Sequence, residues 1–255
     1  MDMPNVDLDK LAAMEFSTAR AAISVTENPR MRAVNDAACS LGARAGLLVG
    51  SKDIRIWLDE PQNQKEWDEA YEFGSLMLEN GVLPPVISYS TKLVSQNAGG
   101  YAIRSASEQY TIVAPARFTT VVPTWRDWLY VGLALDVPGK QTSLEMPPDV
   151  LLAKTTEEKQ VWSNAVRKCW QDGVNQAKSI YDVNRDRLIR DWTGMSRYRI
   201  MVANGSIDQP TVNSIIEAVI RKPQELTIGD VSREITIQPT FNASKSNAIP
   251  KPIKQ

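Results

Sequence analysis

The run 155–194, TTEEKQVWSNAVRKCWQDGVNQAKSIYDVNRDRLIRDWTG, decides the fold. It opens with a capping box, in which Thr155 stands at the N-cap and Glu158 at the N3 position of a helix. Apolar and small residues then recur at mostly three- and four-residue spacings as far as Gly194, and they trace one helical face. The residues up to Val202 either extend this helix or start another. We therefore predict that the longest helix of the protein begins here.

Four further helical stretches are predicted from composition and periodicity. They are Leu8 to about Thr26, Met31 to the break at Pro61, Trp67 to Leu78, and Thr211 to Ile220. In the second stretch, small residues from Gly42 to Gly46 would let another helix approach closely. A short helix is also expected after Thr124, which is well placed as its N-cap.

Extended structure is predicted in two regions. The residues from Val86 to Val122 are rich in Val, Ile, Thr and Tyr, with the turn signal Asn97-Ala98-Gly99-Gly100 between two such runs. Leu226–Ile228 and Glu234–Ile237 are predicted to pair as strands around Gly229-Asp230. The pattern indicates an α+β fold, a helix-rich single domain with a small antiparallel sheet from residues ~86–122 and ~224–238.

Domain limits are predicted from the same patterns. We expect an N-terminal helical arm at 1–30, the α+β domain at 31–241 and a flexible tail at 242–255. The tail is rich in Ser, Asn and Lys, a composition typical of segments that stay flexible or become ordered on a partner.

The composition excludes several classes of function. The 29 basic and 30 acidic residues nearly cancel, so no direct nucleic-acid binding is expected. No histidine is present, which excludes Ser-His-Asp and Cys-His catalysis and histidine-containing zinc sites. The two cysteines, Cys39 and Cys169, cannot build a four-cysteine zinc site. One disulfide between them is conceivable, but two buried free thiols are favoured, because both residues lie in apolar helical patterns. No metal, cofactor or catalytic residue is assigned.

These exclusions do not cover catalysis by a pair of carboxylates, because glycoside hydrolysis needs only two of them. Acidic residues gather around the start of the Trp67 helix: Asp59, Glu60, Glu66, Asp68, Glu69 and Glu72. They are mixed with Lys65 and other polar residues, a pattern that favours a solvated helix face over a catalytic pair.

The seven tryptophans give the candidate interface. Core packing is favoured for most of them, but Trp and Arg are also enriched at the centres of protein interfaces. We predict an interface at Trp125, Arg126, Trp128, Pro84 and Pro85, with Trp125 or Trp128 as its anchor.

Targeting signals are not evident. No stretch approaches the ~20 apolar residues that would span a bilayer. The N-terminal residues lack the basic and apolar regions of a signal peptide. We expect a cytosolic protein or a mature form whose leader lies outside this sequence.

Several ordered motifs resemble the DotC family of type IVB (Dot/Icm-type) secretion systems. They are Gly42-Ala43-Arg44-Ala45-Gly46-Leu47, the stretch from Asp68 to Val86 with Leu83-Pro84-Pro85-Val86, Pro123-Thr124-Trp125-Arg126, Glu158-Lys159-x-x-Trp162, and Trp170-x-x-Gly173-Val174-x-Gln176-Ala177. They cover roughly residues 35 to 205 in the order of the family. The chain is most similar to the counterpart in IncI-type plasmid conjugation systems.

The resemblance implies a lipoprotein on the periplasmic side of the bacterial outer membrane. It implies a structural subunit of the core complex that joins DotD-like and DotH-like subunits in a ring-like multimer. The lipid anchor is expected outside this sequence, because Cys39 lies inside a helical pattern.

Three hypotheses follow. The first is a non-catalytic subunit of a secretion or conjugation complex. The second is a periplasmic, carboxylate-dependent glycan hydrolase, for which Glu72 and Glu79 are the residues to substitute. The third is a cytosolic helical adaptor protein.

Overall fold

The computed structural model describes residues 7–13, 27–96, 103–133, 144–222 and 224–242. Five α-helices occur in these ranges: α1 (Leu8–Ala12), α2 (Glu27–Asp59), α3 (Pro61–Ala70), α4 (Arg126–Leu129) and α5 (Thr156–Ala203). Six strands occur: β1 (Val82–Leu83), β2 (Val86–Gln96), β3 (Ile103–Ala114), β4 (Arg117–Phe118), β5 (Thr211–Lys222) and β6 (Glu225–Ile237). Three short 3₁₀ turns complete them: Phe73–Leu76, Glu79–Gly81 and Asp149–Leu151. The helix-rich α+β class is confirmed.

The chain divides into two compact units, which are described separately below. The first contains residues 1–67 and 127–185, and the second contains residues 68–126 and 186–255. The predicted limits at 1–30, 31–241 and 242–255 follow other criteria and stay a prediction.

Helices α2 and α5 form the core of the first unit. Their buried side chains join those of α1 and of the segment before α5 in one cluster: Leu11, Ala12, Val34, Ala38, Leu41, Ala45, Leu152, Ala153, Trp162, Ala165 and Val166. The α2 members recur three and four residues apart, which is the spacing of one helix face. The indole of Trp162 also donates a hydrogen bond of 3.0 Å to the carbonyl of Leu11, which ties α1 to the cluster.

Glycines allow the two long helices to touch through their backbones. A Cβ atom added at Gly42 would lie 2.6 Å from the carbonyl oxygen of Val166, and one at Gly46 would lie 2.1 Å from that of Trp170. A Cβ at Gly173 of α5 would lie 2.2 Å from the carbonyl oxygen of Ala43. We call these contacts the glycine seam, and the predicted close approach at Gly42 to Gly46 is confirmed.

A disulfide bridges the two helices, so the prediction of two free thiols is wrong. Cys39 of α2 and Cys169 of α5 have Cα atoms 5.1 Å apart and are bonded. The glycine seam brings the helix backbones together and thereby the Cα atoms into bridging range. Helical periodicity cannot show which faces meet, and this is why both cysteines were expected to be small apolar core residues.

The predicted start of α5 is confirmed. The amide of Glu158 donates a hydrogen bond of 3.2 Å to the hydroxyl of Thr155, as a capping box requires. The carboxylate of Glu158 accepts one of 2.7 Å from the amide of Lys154. The helix then continues for 48 residues without a break, so the stretch up to Val202 extends it.

The strands of the second unit form three separate two-stranded sheets, β1-β4, β2-β3 and β5-β6. The prediction of small antiparallel structure is confirmed, but the two regions do not join one sheet. The predicted pairing of Leu226–Ile228 with Glu234–Ile237 around Gly229-Asp230 is wrong, because all of these residues belong to the single strand β6, which pairs with β5. Each long hairpin pairs adjacent strands of the chain, β2 with β3 and β5 with β6. The turn signal at 97–100 and the tail 243–255 lie outside the described residues.

Two helix predictions are wrong. Thr211 to Ile220 is strand β5, because its β-branched residues pair with β6 along the whole length. The predicted helix from Trp67 to Leu78 ends at Ala70 and gives way to 3₁₀ turns. There the Glu72 side chain accepts hydrogen bonds from the amide of Ser75 and starts a new turn. A helix was also predicted from Leu8 to about Thr26. Its first part is α1, which ends at Ala12, and residues 14–26 lie outside the described ranges.

A smaller core holds the base of the β2-β3 hairpin. Ile87 of β2 is buried with Tyr198 and Met201 of α5 and with Ile207. The backbones are close, since a Cβ added at Gly194 would lie 2.9 Å from the amide nitrogen of Ile87.

Candidate interaction surface

Four of the five predicted interface residues are buried. Trp125 has no exposed surface, Trp128 is 9% exposed, and Pro84 and Pro85 are also buried. Arg126 is partly exposed. In the folded chain the aromatic and proline residues therefore contribute to the interior, and Arg126 alone of the five offers appreciable surface to a partner.

Trp125 positions the side chain of Arg126. The indole nitrogen of Trp125 donates a hydrogen bond of 2.6 Å to the Asp68 carboxylate. The guanidinium of Arg126 lies 4.1 Å from the Trp125 ring centroid and 3.3 Å from the same carboxylate oxygen. This cation-π and ion-pair arrangement fixes a partly exposed charged pair, Arg126 and Asp68, on the second unit.

A second polar cluster lies at the base of β2-β3. The rings of Tyr89 and Tyr110 have centroids 5.0 Å apart, and the Arg197 guanidinium lies 5.6 Å from the Tyr89 ring. Arg197 also donates a hydrogen bond to the carbonyl of Ile87. Burial, reinforced by the nearby carboxylate of Glu108, raises the pKa of Tyr110. The phenol of Tyr110 therefore stays neutral at physiological pH. The contacts of Arg197 with Tyr89 and Ile87 attach the β2-β3 hairpin to α5.

The described side chains of the β5-β6 hairpin, at residues 211–215 and 231–237, are mostly uncovered. Its described side chains are exposed except those of Val212 and Ile235, which are half-buried. Three exposed residues are apolar: Ile215 (55% exposed), Val231 (46%) and Ile237 (58%). Each strand is paired only with the other, so both outer edges have free backbone donors and acceptors within the described chain.

The hairpin is attached at its base. The side chain of Gln238 accepts a hydrogen bond of 3.0 Å from the amide of Ala116 and donates one of 3.0 Å to the carbonyl of the same residue. Ile207 and Phe241 form a β-bridge next to it. The ribbon beyond this base, with its exposed apolar side chains and its two free edges, is the candidate interaction surface.

The first unit carries a smaller exposed aromatic patch that the sequence analysis missed. Trp57 is 44% exposed and packs edge-on against Tyr181, with ring centroids 6.2 Å apart. Arg55 lies over the ring of Tyr130, whose hydroxyl donates a hydrogen bond of 2.7 Å to Asp59. In the sequence Trp57 is one of seven tryptophans, and no pattern around it indicates that its side chain is exposed.

The carboxylates of the hydrolase hypothesis lie at the surface. Glu72 and Glu79 are both exposed, and Glu72 is engaged in capping the turn at Ser75. A catalytic acid of a glycosidase works from a cleft, whereas both of these side chains are exposed.

The described ranges contain neither a cluster of metal ligands nor a membrane-spanning helix. Among the described residues, no group of three or more His, Cys, Asp or Glu side chains is placed to hold a metal ion. No described helix is both long and apolar enough to cross a membrane.

Comparison with known proteins identifies the family. A comparison with curated proteins finds no match. A model of the T4SS_TraI family, described as "Type IV secretory system, conjugal DNA-protein transfer", matches residues 28–250 and thus most of the chain, including the helix pair and both long hairpins. The chain therefore belongs to the T4SS_TraI family and is a component of a type IV secretory system for conjugal transfer.

Proposed function

We propose that this chain is a non-catalytic, DotC-like subunit of the outer-membrane core complex of a type IVB conjugation system. In this proposal it assembles with DotD-like and DotH-like subunits in a ring-like multimer. The family match supports the system, and the ordered motifs from Gly42 to Ala177 support the DotC-like assignment.

The observation that carries the structural role is the uncovered β5-β6 hairpin. An isolated two-stranded ribbon is marginally stable in water, and exposed strand edges are templates for another strand. Exposed Ile215, Val231 and Ile237 add apolar area that a neighbouring subunit would bury. Strand addition to an edge is a common mode of protein recognition, and it needs no catalytic group.

The Cys39–Cys169 bridge supports a periplasmic location. Structural disulfides persist in oxidising compartments and are rare in the cytosol. The proposed outer-membrane attachment is a lipid anchor carried outside this sequence, and nothing in the role requires direct binding of nucleic acid.

Copurification tests the assembly role. Full-length tagged chain is purified from cells that express the whole transfer system, and the copurifying subunits are identified by mass spectrometry. The proposal expects DotD-like and DotH-like subunits with the wild-type chain. Ile215→Lys, which places a charge on the hairpin, is expected to lose them and to lower the conjugation frequency.

The matched control is Val183→Lys, because Val183 is 59% exposed on α5 and lies outside the hairpin. It should retain the subunits and the conjugation frequency. Equal retention by both variants would show that the hairpin is not the assembly surface. Recovery of the untagged full-length protein in the soluble cytoplasm would instead favour an adaptor.

The hydrolase alternative is separated by Glu72→Gln and Glu79→Gln. The proposal expects unchanged subunit recovery and no peptidoglycan-releasing activity in any variant. Release by the wild-type chain that either substitution abolishes would replace the structural role by an enzymatic one.

A further inference from the structure

We infer that the neighbouring subunit of the proposed assembly adds a β-strand to the outer edge of β5, not to that of β6, and that this subunit is of another kind than the present chain. The inference rests on the proposed function and deepens it, because it names the edge that binds and the chemistry of the strand that binds there.

The hairpin continues below its two strands as a short antiparallel pair, residues 206–208 with residues 240–242. Here the amide of Asp208 donates a hydrogen bond of 3.0 Å to the carbonyl of Thr240. Successive residues of a paired strand point their backbone groups alternately toward the partner and away from it. Because the backbone of Thr240 faces inward, the nitrogen of the preceding Pro239 faces outward. Proline has no N–H group, so the outer edge lacks a donor at the base of β6.

The base of β6 is also covered by the rest of the second unit. Pro239 is buried, and the side chain of Gln238 is hydrogen-bonded to both backbone groups of Ala116, at 3.0 Å each. Asp208 and Gln209, which lead into β5, are exposed instead. A strand that adds to β6 would therefore end at the covered base, whereas one that adds to β5 can run past it.

The composition of β6 discourages strand addition as well. Its middle contains Gly229 and Asp230, and Arg233 and Glu234 follow, both of them exposed. Charged residues on an edge strand hinder pairing with another chain, and a glycine inside a strand weakens it. The outer edge of β6 is thus a poor template for a further strand.

The composition of β5 is the opposite. Residues 211–216, TVNSII, are uncharged and mostly β-branched. Asn213 and Ser214 stand directly opposite Glu234 and Arg233, so β5 is neutral at the level where β6 is charged. Its outer edge has no paired strand among the described residues. The backbone groups of such an edge bind the backbone of an extended strand, and this neutral stretch fits one with uncharged, β-branched side chains.

The symmetry of a ring bears on the kind of subunit that supplies the strand. Copies of one chain close into a ring only through heterologous contacts, in which two different surfaces meet. Between two hairpins that contact is β5 of one copy with β6 of the next, and the covered, charged edge of β6 disfavours it. Pairing of β5 with β5 of a second copy is isologous and stops at a dimer. The strand on β5 accordingly comes from a subunit of another kind.

Photo-crosslinking in the assembled complex tests the inference. A photo-reactive phenylalanine derivative is placed singly at Asn213 or Ser214 of β5, or at the opposite Glu234 or Arg233 of β6, all of which are exposed. The full-length tagged chain is expressed with the whole transfer system. An added strand would lie about 5 Å from β5 and about 10 Å from β6, so we expect crosslink yields about fivefold higher or more from the β5 positions. Mass spectrometry should identify an uncharged, β-branched segment of a different subunit.

The matched positions separate the other arrangements. Equal or higher yields from β6 would place the partner on the other edge and overturn the inference. High yields at Asn213 and Glu234 alike, or at Ser214 and Arg233 alike, would show a partner that covers one face of the ribbon and would overturn it too. Crosslinks to a second copy of this chain, or none from β5 in samples that retain the partner subunits, would have the same effect. Loss of the subunits from the β5 variants alone would support the β5 edge.

Copurification of the DotD-like and DotH-like subunits is measured in the same samples. Their absence with the unsubstituted chain would contradict the proposed function. Their presence together with any of the contrary crosslinks would contradict only the choice of edge or of partner.

Discussion

Gly46 sets how closely α2 and α5 approach. Its missing Cβ would lie 2.1 Å from the carbonyl oxygen of Trp170, a distance that no pair of unbonded heavy atoms tolerates. Backbone on both sides of this contact has to move to admit even a methyl group. The small size of Gly46 is therefore a requirement of the helix contact, although glycine has a low helix propensity.

Gly46→Ala should therefore destabilise the chain despite the better helix propensity of alanine. We expect a loss of about 2 kcal/mol or more in the free energy of unfolding, because the added methyl group overpacks the seam. Urea denaturation followed by circular dichroism measures it. Ser40→Ala, at an exposed site of the same helix, should change stability by less than about 0.5 kcal/mol. Equal midpoints for the two variants would contradict the backbone contact at Gly46.

Glu158 makes the stability of the first unit depend on pH. Burial raises the pKa of Glu158, but hydrogen bonds from Arg30 and the Lys154 amide outweigh it, and the net pKa is lowered from the ordinary value of 4.5. A carboxyl whose folded pKa lies below its unfolded pKa stabilises the fold above the unfolded value. That stabilisation is lost as the pH falls through the folded pKa.

Glu158→Gln should thus be destabilising at neutral pH, by about 1 to 3 kcal/mol, and lose this deficit below pH 4.5. Urea midpoints measured across this range give the result. Glu157→Gln is the matched control, since Glu157 is exposed in the same helical turn. A deficit of Glu158→Gln that does not change with pH would show that the carboxylate charge is not responsible.

For single residues, the sequence predicted local hydrogen bonds correctly but did not predict which side chains are buried and which are exposed. The Thr155–Glu158 capping box was predictable because both of its partners are local in sequence. Trp125 was predicted to anchor an interface, but it lies buried against Asp68, 57 residues away in sequence. Only the tertiary fold creates that hydrogen bond. Residue type alone cannot separate a buried tryptophan from an exposed one such as Trp57.

The two long hairpins differ in how they are supported. β2-β3 packs Ile87 against Tyr198 and Met201, whereas the described side chains of β5-β6 find little cover beyond its base. Stability within a protein varies with such local burial. Of the two long hairpins, β5-β6 has less support among the described residues and therefore more to gain from a partner.

Hydrogen exchange should show this difference directly. In the purified chain, amides of β5-β6 are expected to exchange quickly, because a two-stranded ribbon opens at little cost. Amides of β2 around Ile87 and of α5 should be protected and serve as internal controls. In the assembled complex, the β5-β6 amides should become protected. Equally slow exchange of β5-β6 and α5 in the purified chain would contradict the view that the hairpin lacks support.

Element prediction succeeded where one period dominated. The three- and four-residue spacing of apolar residues in α5 continues over many turns, so only a helix is consistent with it. Thr211 to Ile220 gave a short run of apolar residues that fits helix and strand alike. Its β-branched composition was the signal that could have decided for strand. The break after Ala70 depends on a side-chain cap at Glu72, which a pattern of apolar residues does not reveal.

Over the whole molecule, the charge balance bears on the role in conjugal transfer. The net charge is -1, and phosphate contacts by clustered Lys and Arg supply most of the affinity of proteins for DNA. The description of the family refers to conjugal DNA-protein transfer. We nevertheless expect this chain to act as a structural subunit and not to contact the transferred DNA.

We therefore expect no binding to single- or double-stranded DNA tighter than about 1 μM at physiological salt. Fluorescence anisotropy with labelled oligonucleotides measures it, and a basic oligonucleotide-binding protein serves as the positive control. Submicromolar binding that weakens steeply with salt would contradict the expectation. It would show that the protein has a basic surface patch despite its near-zero net charge.

The α+β class and the link to type IV secretion could be inferred from sequence, because the first depends on local periodicity and the second on short motifs ordered along much of the chain. The separation of the strands into three sheets and the pairing of the cysteines could not. Both depend on which distant segments meet, and only the fold decides that.

The glycine seam has a further consequence in time. A polypeptide is synthesised from its N-terminal end, so Cys39 of α2 is made 130 residues before Cys169, the residue of α5 to which it is bridged. Throughout that interval the first unit has no means to close, since half of its core has yet to appear. Closure of the first unit therefore waits until α5 has been synthesised, because its core is shared between segments that lie far apart in the chain.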